Sequence, residues 1–217
     1  MNHPQQLGFG FDEILREKET AHLPGTMDEA IPYYRKLLER HNEAMLAGDI
    51  PAAMNIRDEA REIAIKLNGN DSCGISCHDG PGGILESKTA APEGTVPLWG
   101  QEGNFVIDVN GMKVRIEQDG LFGVGTLCSP APGFSAHAID YDKPFLSETG
   151  YRSFIGSRPE IAPGITPDVM AREMILAYIN RECKGKPKRI EQTYVEREME
   201  RRDERLNPKQ QELEHEH

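Results

Sequence analysis

Apolar residues in this sequence recur twice at helical spacing before they alternate once in strand fashion. Ile31, Tyr34, Leu38, His41 and Met45 follow one another at steps of three and four, the period of one helix face. Thr26 and Glu29 have capping-box spacing just ahead of them, so a helix is expected to start at Met27, with Pro32 straining its first turns. Gly48-Asp49 closes it. Asp49 can cap a second helix with Pro51 in its first turn, and Ala53, Ile56, Ala60, Ile63 and Leu67 repeat the same steps. So short a join makes the two helices antiparallel, a helical hairpin over 26–68 with Ala53, Ala60 and Ala64 along its close seam.

The strand signal lies at 105–116. Phe105-Val-Ile-Asp-Val109, Asn110-Gly111 and Met112-Lys-Val-Arg-Ile116 read as a hairpin on a type I′ turn. Pairing across the turn sets Val109 against Met112, Ile107 against Val114 and Phe105 against Ile116 on one face. Asp108 then meets Lys113, with opposite charge, on the other. Asp119-Gly120 suggests a further turn into Leu121–Gly125, and 134–141 a further strand. Thr166-Pro167-Asp168 starts a helix whose buried face is Met174, Ile175, Tyr178 and Ile179. The fold class is therefore α+β. An arm or short helix at 1–22 precedes one domain over 23–183. That domain comprises the helical hairpin, an irregular glycine-rich segment at 69–103, a sheet at 104–141, a polar loop at 142–165 and a helix at 166–183. A charged tail follows at 184–217.

Composition sharpens this picture. Only 37% of the residues are hydrophobic, and the formal net charge is −11. Basic and acidic residues cancel from Lys184 to His217, so the deficit belongs to the body of the chain. That balance argues against a nucleic-acid partner and favours a protein with a basic surface. No apolar run approaches membrane-spanning length, and four cysteines without framework spacing fit reduced thiols, so a cytoplasmic setting is expected. Nothing in the pattern fixes an oligomeric state.

Named catalytic motifs are absent. Gly80-Pro81-Gly82-Gly83 lacks the Lys-Ser/Thr of a phosphate loop, and the glycines at 120, 123 and 125 do not form a dinucleotide fingerprint, so no cofactor is expected. Cys73, Cys77 and His78 resemble half of a zinc site, but completing it would draw on Cys128, Cys183, His41 or His137, with no second paired motif. Cys128 with His137 as base is a weaker pairing still. The richest polar stretch, 134–154, carries His137, Asp140 and Glu148 as candidate acid-base groups and Asp142, Ser147, Tyr151 and Arg152 as candidate binding groups.

Three stretches, TMDEAIPYYRKLLERHNEAMLAGD, TVPLWGQEGNFVIDVNGMKVRIE and DKPFLSETGYRSFIG, resemble a group of bacterial proteins carried on plasmids and other mobile elements. The likeness spans roughly residues 22 to 189. It implies a bacterial cytoplasmic setting and an accessory role, and it transfers no site residue. The leading expectation is a non-catalytic interaction or regulatory protein that binds another macromolecule through an acidic surface. The alternative is a small hydrolase-like enzyme with its site in 134–154, where His137 would have Asp140 or Glu148 in reach.

Overall fold

The computed structural model describes residues 18, 20–127, 130–155 and 161–206. Helix α1 (Met27–Ala47) begins where the capping pattern places it. The Thr26 hydroxyl accepts from the Glu29 amide at 3.4 Å, and Glu29 accepts from the Gly25 amide at 3.2 Å. The helix continues through Pro32 and ends on Gly48, whose φ of 73° supplies the left-handed cap. Asp49 caps α2 (Ile50–Leu67) by accepting from the Ala52 amide at 3.0 Å. Tyr34, Leu38, His41 and Met45 of α1 are buried, as are Ala53, Ile56, Ala60 and Ile63 of α2, so the two periodic faces meet as a helical hairpin.

The segment expected to be irregular contains a third helix, α3 (Pro81–Thr89), packed on α1 and α2. Its opening Pro-Gly-Gly is a poor helix signal, and tertiary packing compensates. A Cβ on Gly82 would lie 2.6 Å from the Phe122 ring, and one on Gly83 would lie 2.2 Å from the Cys77 carbonyl. Only glycine lets the helix start lie this close to its neighbours.

Strands β1 (Gly103–Val109) and β2 (Met112–Gln118) pair in the expected register, with Phe105 opposite Ile116, Ile107 opposite Val114 and Asp108 opposite Lys113. Asn110 and Gly111 take φ values of 54° and 84°, and Asp108 Oδ1 accepts from the Gly111 amide at 2.7 Å. Strand β3 (Phe134–Ala138) pairs with β2, and β4 (Tyr151–Ser153) pairs with β3, giving an antiparallel sheet in sequence order. The expected strand at 121–125 is not there. The chain instead makes a tight turn into a short 3-10 helix (Val124–Leu127), anchored by Thr126, whose hydroxyl donates to the Leu121 carbonyl at 2.9 Å and to that of Gly123. The fourth strand comes from the stretch expected to be loop.

Helix α4 (Pro167–Arg181) lies against β1 and buries Met170, Ala171, Ile175 and Ile179. Met174 and Tyr178 are half-buried at its margin. In the charged tail, α5 (Gln192–Leu206) packs Tyr194 and Val195 against the core. One core joins the helical hairpin, α4 and the inner sheet face of Phe105, Ile107, Val114, Ile116, Phe134 and Ala136. Trp99 is its central tie. Its backbone carbonyl meets His41 Nδ1 at 2.8 Å, its amide donates to Asn42 at 3.1 Å, and its indole N–H donates to the Ile165 carbonyl at 2.9 Å. Among the described residues no helix is long and apolar enough to cross a membrane.

Candidate functional site

Alternation along the strands sends one set of side chains to the core and the other to the outer face. On that outer face the β2–β3 register puts Arg115 opposite His137, with Glu117 two residues further along. His137 Nε2 lies 3.0 Å from Glu117 Oε2, and Arg115 Nη1 reaches the other Glu117 oxygen at 3.1 Å. Tyr151 meets the imidazole edge-on, with centroids 5.0 Å apart. Burial pulls the His137 pKa below its ordinary value, and the Glu117 carboxylate pushes back against that shift.

Helix α5 forms the other wall. Arg202 donates to the Ile139 carbonyl at 2.8 Å and pairs with Glu198 at 3.3 Å, so a cleft of about 620 Å³ opens between Arg115, His137, Tyr141, Glu198 and Arg202.

The other candidates of the polar stretch separate. Asp140 is half-buried and pairs with Lys143 at 2.8 Å, and Glu148 lies 3.7 Å from Lys188. Asp142 is exposed. Ser147 donates to the Tyr151 carbonyl at 2.7 Å, which fixes the turn into β4. Arg152 points to the opposite sheet face from Tyr151 and stacks over the Tyr178 ring at 4.4 Å. Of the proposed set the structure sets the Tyr151 ring beside His137, with Ser147 holding the Tyr151 backbone, and it supplies Glu117 as the acid partner. Sequence reasoning missed Glu117 because its contact with His137 depends on the β2–β3 register, which no turn between adjacent strands specifies.

Cys73, Cys77 and His78 are exposed on the loop before α3. Cys183 is buried beside the Leu146 carbonyl, His41 sits in the core, and Cys128 lies outside the described residues. Among the described residues no three His, Cys, Asp or Glu side chains are grouped to hold a metal ion.

A second concavity escaped the sequence entirely. At the open end of the β1–β2 hairpin, Glu86 of α3, Glu102, Glu117 and Asp119 line a groove of about 210 Å³ whose walls carry no Lys or Arg. Glu86 accepts from the Phe122 amide at 2.7 Å and lies over Gly120, where a Cβ would come within 2.0 Å of its carboxylate. Burial raises the Glu86 pKa, the Phe122 amide opposes the rise, and Glu102 and Asp119 add to it, leaving the group at about 7. Burial also raises the Asp119 carboxyl, reinforced by Glu102 and Glu117. Glu102 and Asp119 thus lie close enough for their charge to oppose ionisation of Glu86.

Comparison with known proteins gives the chain its relatives. Residues 102–199 match the family model described as KlcB third domain. The chain is 34% identical to the Escherichia coli protein KlcB over 179 residues, 82% of this chain and 42% of the relative. It is 43% identical to a second Escherichia coli KlcB over 115 residues, 52% of this chain and 24% of that protein. The chain thus spans less than half the length of the curated relatives it matches. No solved structure matches it. The chain is homologous to KlcB, a plasmid-borne protein, in keeping with the resemblance drawn from its three stretches.

Proposed function

We propose that this KlcB homologue is a non-catalytic interaction protein whose acidic groove grips a basic side chain of another protein. The observation that carries the reading is the meeting of Glu86, Glu102 and Asp119 on walls that carry no Lys or Arg, with Glu117, already paired to Arg115, at their edge; Glu102 and Asp119 add to the burial that raises Glu86. An entering guanidinium or ammonium would lower the mutual repulsion and gain charge-assisted hydrogen bonds. A groove of about 210 Å³ suits one such side chain rather than a folded surface. A cytoplasmic setting and an accessory role belong to the same proposal.

The test is anisotropy of a labelled arginine-rich peptide at rising salt, with a glutamine-substituted peptide as control. Binding is expected to weaken as salt screens the groove and to fall by on the order of tenfold in E102Q/D119N. Equal binding by the double variant would reject the proposal.

A second reading has its own observation. His137 lines a cleft of about 620 Å³ with Glu117 in hydrogen-bond reach, a pairing that suits a hydrolase-like general base. Turnover of chromogenic esters that disappears in H137Q would favour it, and turnover unchanged by that substitution would remove it.

A further inference from the structure

A third cavity, of about 390 Å³, opens at the turn end of the hairpin, the opposite end of the strands from the acidic groove. Seven-residue strands separate the two by roughly 20 Å. Three segments build it: the Asn110–Gly111 turn, the loop carrying Asp140 and Lys143–Phe145, and the connector Gly185–Pro187. The last two are fastened together by a reciprocal pair of backbone hydrogen bonds between Phe145 and Lys188, each 2.7 Å. The turn is fastened by Asp108. The walls therefore stand preformed, and the volume falls in the range that small organic ligands occupy.

The lining has two chemistries. Met112, Ala138, Pro144, Phe145 and Pro187 give an apolar surface. Lys113, Lys143 and Lys186 stand on it; Asp140 pairs with Lys143 at 2.8 Å and lies near enough to Lys113 to feel its charge. Among the described residues neither Lys113 nor Lys186 has a carboxylate within ion-pair distance. Three ammonium groups against one lining carboxylate, beside an apolar wall, are unexpected in a chain of net charge −11.

We propose that this cavity binds a small organic anion with an apolar body of about one aromatic ring, its charge held between Lys113 and Lys186. The inference rests on neither functional reading above, since it shares no residue with the acidic groove and the His137 cleft can be blocked without touching either lysine.

Phenyl phosphate is the probe, titrated into the full chain while backbone amide shifts are followed by NMR. Shifts are expected at Gly111, Met112, Ala138, Phe145 and Lys186, with affinity lost by on the order of tenfold in K113Q/K186Q. Benzylamine, the same ring with opposite charge, is expected to leave those amides unmoved. The proposal is overturned if benzylamine moves them equally, if inorganic phosphate alone binds as tightly (an adventitious ion only), if the double variant binds unchanged, or if the amides stay fixed up to about 10 mM probe.

Discussion

Replacing Glu86 by glutamine tests the electrostatics of the groove without removing its packing. The amide oxygen of glutamine can still accept from the Phe122 amide, so the substitution removes charge and keeps the contact. In the folded protein the Glu86 pKa is raised from 4.5 to about 7. At about 1.36 kcal/mol for each tenfold change in proton affinity, ionising it in place costs about 3 kcal/mol. Because the folded pKa lies above the unfolded one, the folded protein holds a proton that the unfolded chain has released between those pH values. Stability is therefore fully present below about pH 4.5 and is lost as pH rises through 7. Urea unfolding of the parent and E86Q at several pH values from 4.5 to 8 measures the difference, and taking differences cancels the other titrating groups. E86Q is expected to gain about 3 kcal/mol relative to the parent between the two ends of the range. A difference that stays flat with pH would refute the reasoning, whatever its size.

Further outcomes follow from other contacts. Gly100→Ala is expected to cost about 2–4 kcal/mol, because φ is +82° there and a Cβ would lie 2.4 Å from Leu121 and 2.9 Å from His41, and chemical denaturation reads it directly. His41 is held to about 4 by burial, so the stability it permits above pH 6.5 is expected to fall as pH drops toward 4, and its ring-proton NMR titration should show a midpoint near 4 rather than 6.5. Glu117→Gln is expected to lower the His137 pKa further, since Glu117 is the largest influence raising it, and an unmoved His137 titration would contradict the ion pair.

How much of this was legible in the sequence depended on how far each contact reached along the chain. Thr26 with Glu29, Asp49 with Ala52, and Asp108 with Gly111 all act within four residues, and the helical hairpin and β1–β2 ribbon followed from them. Helix α3 was hidden because Pro81-Gly82-Gly83 advertises a turn, and only the Phe122 ring and Cys77 backbone, seen in three dimensions, explain why glycines open a helix there. Leu121–Gly125 resembled a strand by its apolar residues, but Thr126 folds the chain into a tight turn. Strand β4 is three residues long, too short for alternation to register.

The candidate sites behaved likewise. Spacing alone suggested Asp140 or Glu148 for His137, whereas strand register delivered Glu117. The acidic groove joins Glu86 from a helix with Glu102, Glu117 and Asp119 from around the sheet, a distance in sequence that no local motif records. The charged tail after Cys183 was visible, but the meeting of its Lys186 with Lys113 and Lys143 across an apolar cavity was not.

The claim on which the functional account stands is that crowded carboxylates await a cation from a partner. The most direct measurement is the side-chain carbon-13 titration of Glu86, recorded for the free protein and again with saturating arginine-rich peptide. The account predicts a midpoint near 7 that drops toward the ordinary carboxylate range when the peptide is bound. A midpoint already near 4.5 in the free protein, or one that the peptide leaves in place, would contradict it.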